Sequence, residues 1–352
     1  MPSVLTDSAD TPSLPETAMR IAILACFILL PALRAAEPIT VTKDKGSLEF
    51  RAGAEVIAKY NAGEDVAKPY VWPLNAPGNK PVTRPWPMVK GTAGETVDHV
   101  HQKSAWFCHG DIIPEGLELK VKSKDTHVKG VDFWSETAGH GKMLCVEIGE
   151  PKIHDADHVS VPTRNSWQTA DGIKLMEESR ILHVRRLAKG YLIAFEIDLT
   201  PTEYPITFGD TKEGSMGVRV PDAFRLQVKE GGKIASSDGK VIEAGTKDNL
   251  AVWGQPADWH DYSGKIGKDT AGIAVFDHPS NSSRALWHTR AYGLMAANPF
   301  AREKSGYPGA KGKTELVKLA KGEHLKLKYA IYTHTGDSVE GEVAKAFEEF
   351  KK

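Results

Sequence analysis

The strongest constraint on the fold is a two-residue alternation of apolar and polar side chains that recurs along the chain. In its clearest instance Leu325, Leu327, Tyr329 and Ile331 alternate with Lys326, Lys328, Ala330 and Tyr332, the period of a strand with one face buried. Strand-like runs are also predicted at Ser47 to Arg51, Glu55 to Tyr60, Leu117 to Val121, Met143 to Ile148, Ser179 to Arg185, Tyr191 to Leu199, Phe224 to Val228, Ala271 to Phe276 and His324 to Tyr332. Turn formers separate them, such as Lys189-Gly190 and Ser237-Asp238-Gly239-Lys240. No helical segment alternates with the strands, which argues against a parallel sheet with crossover helices. The pattern predicts an all-β chain built from two packed antiparallel sheets. A single helix is predicted at the end, where Asp337-x-x-Glu340 has capping-box spacing and Val339, Val343, Phe347 and Phe350 recur at helical intervals.

Upstream of the strands, Met19-Arg20 is followed by the apolar run Ile21 to Leu30 and then by Pro31-Ala32-Leu33-Arg34-Ala35-Ala36. A charged start, a short apolar stretch and a small-residue exit are the parts of a signal peptide. The run is shorter than the roughly 20 apolar residues of a membrane-crossing helix. Asp7, Asp10 and Glu16 precede it, so Met19 is the expected start. Residues 1–35 are expected to be removed, leaving 36–352 as a single β-sandwich domain in the periplasm or outside the cell. Removal takes away Arg20 and Arg34 against Asp7, Asp10 and Glu16, leaving 43 basic and 43 acidic residues of the original 45 and 46. That balance argues against a nucleic-acid partner, and no later segment is apolar enough to span a membrane as a helix. Cys108 and Cys145 remain, either as one disulfide or as two buried thiols.

Chemistry-bearing residues gather in two places. The first is Asp98-His99-Val100-His101, continued by Trp106-Phe107-Cys108-His109-Gly110-Asp111 and by Asp132-Phe133-Trp134. In extended chain His99 and His101 share a face, as do His109 and Asp111. Imidazoles beside a carboxylate suit proton transfer near neutral pH, and the same groups are normal ligands of a divalent metal. His99, His101 and His109 are the metal candidates, although no HExxH or paired-cysteine spacing supports such a site, and no cofactor is firmly predicted. The second cluster runs Asp277-His278-Pro279-Ser280-Asn281, then Trp287-His288-Thr289-Arg290, Tyr292 and Asn298-Pro299-Phe300. An Asx turn accounts for its first part. It does not account for His288 and Arg290 beside aromatic rings able to stack on a sugar face. Trp259-His260-Asp261 and Gly217-Val218-Arg219 are expected to frame the same pocket, with Arg84 arriving from a proline-rich, aromatic loop.

Taken in order, Pro73-Leu74 to Thr83-Arg84, Asp98-His99-Val100-His101, Trp106 to Asp111, Asp132-Phe133-Trp134, Gly217-Val218-Arg219, Asp277-His278-Pro279, Trp287-His288-Thr289-Arg290 and Asn298-Pro299-Phe300 resemble a family of bacterial exported proteins labelled "methane oxygenase PmoA". The family usually has adjacent histidines followed by arginine where this chain reads His101-Gln102-Lys103-Ser104. The family is similar in fold to the galactose mutarotase-like β-supersandwiches, which implies a large antiparallel supersandwich with a carbohydrate-handling concave face.

Three functions are carried forward. The leading one is a carbohydrate-active enzyme, an epimerase, lyase or hydrolase, using His99, His109, Asp111 and His288 for acid–base chemistry. Its substrate is held by Arg84, Trp134, Arg219, Trp259, Asp277, His278, Asn281 and Arg290. The alternatives are a metal-dependent oxygenase with His99, His101 and His109 or Asp111 as ligands, and a non-catalytic glycan-binding module. The processing expectation is directly testable: N-terminal sequencing of the protein from an exporting cell should read Ala36-Glu37-Pro38, and an intact start at Met1 or Met19 would refute it.

Overall fold

A computed structural model of the chain describes residues 1–4, 37–245 and 251–352; the expected signal segment lies outside the described residues. Leu325, Leu327, Tyr329 and Ile331 all turn into the core from the strand Leu325–Thr335, as their spacing demands. Ala330 and Tyr332, on the opposite face, are also buried, because the C-terminal helix covers them. The alternation therefore fades where both faces of the sheet are covered.

Leu325–Thr335 lies inside a ten-stranded antiparallel sheet. From one edge the order is Val241–Glu243, Lys233–Ser236, Trp259–Ile266, Asp269–Asp277, Leu325–Thr335, Gly190–Pro201, Lys174–Leu187, His158–Gln168 and Lys142–Ile148, with Lys152–Asp155 also paired to His158–Gln168. A nine-stranded sheet runs Ile39–Asp44, Ser47–Ala52, Glu55–Asn61, Tyr70–Ala76, Ala105–His109, Gly214–Arg219, Leu294–Asn298 and Leu286–Trp287, with Lys80–Pro81 beside Tyr70–Ala76. Their apolar faces merge into one core, where Val161, Leu182, Ile193 and Ile331 of the larger sheet join Phe50, Leu74, Phe107 and Val218 of the other. A three-stranded sheet joins Ile112–Pro114, Ile206–Phe208 and Lys318–Leu319. The chain is thus an all-β antiparallel sandwich.

Two of the expected strands do not form. Leu117 and Leu119 pack against the core without a ladder partner. Phe224 ends a short 3-10 turn, and the chain then folds on itself, with the Val228 N–H donating to the Arg225 carbonyl and that of Gly231 to Val228. The first segment has partly buried and the second fully buried apolar residues, but no neighbouring edge receives them. The capping box does form: the Asp337 carboxylate accepts the N–H groups of Val339 and Glu340, and Glu340 accepts that of Asp337. It closes a turn, and the helix begins only at Val343, ending at Phe350, so Val339 is left exposed. Val343, Ala346, Phe347 and Phe350 are its buried face. Cys108 and Cys145 are free thiols, the first buried and the second half-buried.

An arginine–glutamate ion pair lies in the core. Glu178 accepts from Arg180, from Trp167 Nε1 at 2.8 Å and from Asn165 Nδ2 at 3.3 Å, and neither charged side chain is more than 1 % exposed. The Arg180 guanidinium also stands 5.8 Å from the ring centres of Tyr60 and Phe107 on the facing sheet. Removing one partner leaves a buried charge uncompensated, which costs about 3–5 kcal/mol, whereas replacing both by apolar groups costs far less. Urea unfolding should show Glu178→Leu losing stability on that scale and Glu178→Leu/Arg180→Met recovering most of it; equal losses would refute the ion-pair account.

Candidate functional site

Beside the nine-stranded sheet, loops from distant parts of the chain enclose a cavity of about 870 Å³. Its walls carry His99, His101, Asp111, Asp132, Trp134, Glu213 and Tyr292, and its rim carries Asp125, His127, Lys212, Lys304 and Lys313. The size falls in the usual range for small-ligand sites, roughly 300–1,000 Å³, and the wall is unusually rich in ionisable groups for one.

His99 is placed from beneath. Arg84 and Arg219 have no exposed side-chain surface. Arg84 Nη1 donates to Asp98 Oδ1 at 2.5 Å, and its Nη2 donates to the carbonyls of Asp98 and His99 at 3.0 and 2.7 Å. Arg219 Nη2 reaches Asp98 Oδ1 at 3.0 Å, and Nη1 donates to Gln102 Oε1. The two arginines expected to hold substrate are therefore committed to the loop that carries His99 and His101. They force its backbone into the left-handed region at His99, φ 38°, and Ser104, φ 58°, a conformation that persists in non-glycine residues only where the surroundings over-determine it. The exposed ring of His99 is 42 % accessible, with Nδ1 3.2 Å from Asp98 Oδ2 and its plane parallel to Tyr292 at 5.3 Å. A carboxylate on Nδ1 fixes the tautomer and leaves Nε2 as an acceptor toward the cavity. Partial burial opposes ionisation of Asp98, but the Arg219 and Arg84 guanidiniums outweigh it and hold its pKa at about 2.

The other walls are built differently. Asp111 Oδ1 accepts the N–H groups of Lys129 and Gly130 at 3.0 and 2.7 Å. The chain passes so close that a Cβ on Gly209 would lie 2.0 Å from Asp111 Oδ2. Asp132 caps its own turn by accepting from Trp134 N and Ser135 N. Both carboxylates are thereby occupied in shaping loops. Glu213 is not: among the described residues its side chain has no hydrogen bond, and its nearest ion-pair neighbour is His288, with Nδ1 4.0 Å from Oε2. A third of the Glu213 side chain remains exposed, yet the carboxyl lies deep enough that loss of hydration pushes its pKa up to about 7 against the pull of Lys212. His101 is lowered to about 3, first by burial and then by the Lys68 ammonium. His288 is lowered to about 3 by burial, with Arg290 adding to the effect.

Apart from Arg84 and Arg219, the expected site residues separate into four groups. His99, His101, Asp111 and Trp134 line the cavity. His288 is buried beside Glu213, and Arg290 sits over Trp253 at 5.7 Å, its charge felt by both. His109 lies in the core, stacked edge-on against Phe300 at 4.9 Å with Nε2 on the Gly209 carbonyl at 2.9 Å. It does not converge with His99 and His101, so the expected metal triad is not assembled among the described residues. Its position in the fully buried strand Ala105–His109, whose neighbours leave no open face, is the reason. Trp259, Asp277, His278 and Asn281 do not line the cavity. Trp259 packs with the helix cluster, and the His278 ring meets Phe350 at 5.0 Å. Asp277 accepts from Ala285 N and Asn281 Nδ2, as an Asx-type turn does. Glu213 was not anticipated; its only sequence signal is its place before the glycine-containing strand Gly214–Arg219.

A two-sheet antiparallel sandwich with a polar, ionisable cavity is the class of protein defined by this fold. The chain belongs to DUF6807, a family of unknown function, which it matches over residues 47–348. No curated protein sequence matches it. Among solved structures it is similar to a GH36 alpha-galactosidase from Geobacillus stearothermophilus (TM-score 0.42, 9 % identity, 85 % of this chain and 41 % of that one). It is also similar to a galactose 1-epimerase from Lactobacillus acidophilus NCFM (0.38, 8 %, 85 % and 98 %) and to a putative aldose 1-epimerase from Escherichia coli K12 (0.36, 11 %, 85 % and 99 %). The chain thus spans about two fifths of the galactosidase. These likenesses are distant, and function must be argued from the site.

The Asp98 hub has a pH signature. Its folded pKa of about 2 lies below the ordinary 3.8, so its contribution to stability is complete above 3.8 and disappears as pH falls toward about 2. Acid unfolding of Asp98→Asn should lack that part of the wild-type loss; identical profiles would show that Asp98 is not the anchor.

Proposed function

We propose that this protein is a carbohydrate-active enzyme that moves protons on a bound sugar or oligosaccharide, with Glu213 as the acid and His99 as the base. The carrying observation is Glu213 itself: a cavity-wall carboxyl, unbonded to the protein among the described residues, whose pKa of about 7 keeps much of it protonated at neutral pH. Efficient acid–base catalysis favours a pKa near the working pH. His99, with Nδ1 steadied by Asp98, supplies an acceptor on the same cavity wall. His101 is a poor base, since an imidazole with a pKa of about 3 holds a proton poorly. His288 does not line the cavity and acts as a positioning residue behind Glu213.

Substrate class follows from the wall. Carboxylates, lysines and imidazoles around a cavity of this size match a compact ligand rich in hydroxyl groups. Epimerase, lyase and hydrolase chemistry all begin with such a proton transfer. Hydrolysis needs a second placed carboxyl, whereas the wall carboxylates Asp111 and Asp132 are engaged in shaping loops. The oxygenase reading finds no support in this cavity, because among the described residues neither His109 nor Asp111 brings a ligand atom within reach of a metal shared with His99 and His101. Export to the periplasm or beyond, expected from residues 19–36, fits an enzyme acting on external sugars.

The test is turnover of a panel of free sugars and oligosaccharides followed by proton NMR. Glu213→Gln and His99→Ala should each lower kcat/KM by about 10²–10⁴-fold. With Glu213 acting as the acid, wild-type rate should fall as pH rises through about 7, and Glu213→Gln should lose that limb. Glycan binding without any turnover would make the protein a binding module, and wild-type rates in both variants would remove the proposed pair.

A further inference from the structure

A second group of histidines lies outside the cavity, on the larger sheet. Val159, Val161, Leu182 and Val184 point into the core, so the intervening His158, Ser160 and His183 project from the opposite face. His154 joins them from Lys152–Asp155, a short strand paired only to His158–Gln168. One ring nitrogen from each of His154, His158 and His183 falls within 4.8 Å of the others. His158 Nε2 and His183 Nδ1 are 3.1 Å apart. Two imidazoles bound at about 2.0–2.1 Å to one ion hold their nitrogens about 3 Å apart, so this pair is already spaced for a shared ligand. The His154 ring, stacked on His158 at 4.0 Å, bonds Ser160 Oγ through Nε2 at 2.9 Å and is exposed, so its ring can swing to complete the set.

The surroundings suit a cation held by neutral imidazoles. His183 Nε2 is buried and faces Glu196 Oε2 at 3.9 Å. A carboxylate behind the non-ligating nitrogen is the usual way a metal-bound histidine is oriented. Arg185 and Lys328 oppose a bound cation, while Asp155 and Glu196 favour it, and Lys328 is already paired to Glu196 at 3.1 Å.

We propose that His154, His158 and His183 form a binding site for a divalent late transition metal of the zinc, copper or nickel type, with water completing the coordination. An all-imidazole set selects these ions over magnesium or calcium, which prefer oxygen. The experiment is calorimetric titration of zinc chloride into full-length protein stripped with a chelator and dialysed. One ion per chain is expected, with calcium chloride giving no heat of binding. His154→Gln and His158→Gln should each weaken zinc binding by more than about tenfold, while His99→Ala/His101→Ala leaves it unchanged. His154 is exposed, so its variant should keep the metal-free unfolding temperature and decides the matter if His158→Gln fails to fold. No zinc binding, equal affinity in His154→Gln, or loss of binding in the cavity variant would each overturn the assignment.

Discussion

The cavity depends on one carboxylate facing two buried guanidiniums. Arg84 and Arg219 have no route to solvent, and a buried cation without a partner is too costly to keep. Asp98 supplies the counter-charge, and the carbonyls of Asp98 and His99 with the Gln102 side chain take further donors, leaving Nε of each arginine without a partner. Satisfying the arginines therefore dictates the path of residues 98–104. Trp86 Nε1, donating to the Asp98 carbonyl at 3.0 Å, adds a further tether. A histidine on an exposed loop is thereby held in one place without being packed in the core.

The same cavity wall contains a carboxyl in the opposite electrostatic situation. Asp98 is surrounded by donors and held at about 2, while Glu213 has lost water without gaining a hydrogen bond and rises to about 7. Environments that drive two carboxyls apart in this way assign them separate chemical duties. Asp98 stays ionised and orients an imidazole. Burial leaves Glu213 far more readily protonated than Asp98. The two environments thus differ in charge and hydration, although both residues belong to the same chemical class.

Much of the architecture was legible because strand period survives wherever one face meets solvent or the two faces differ. Leu325 to Ile331 shows this, as do the long strands Lys174–Leu187 and Gly190–Pro201. Leu117 to Val121 and Phe224 to Val228 misled because short apolar runs do not reveal whether a partner edge exists. In the site, His99, His101, Asp111 and Trp134 were recoverable from local density of functional side chains. Asp277, His278 and Asn281 have the same density but satisfy a turn and a helix contact. Arg84 and Arg219 looked like substrate clamps, since sequence does not show which way a guanidinium points. Glu213 was missed because its significance comes from burial and from what does not bond to it.

The small sheet of Ile112–Pro114, Ile206–Phe208 and Lys318–Leu319 has a consequence for how the protein comes to exist. It stitches together three stretches separated by about a hundred residues each, and the cavity wall draws on those same regions, from His99 to Leu316. Contacts of such long sequence separation form late and slowly, because the intervening loops must first be closed. A chain still emerging from synthesis cannot contain the cavity, however well its early hairpins have formed. The cavity is a property of the folded whole, because a fragment lacking any one of those three stretches lacks the small sheet that ties its walls together.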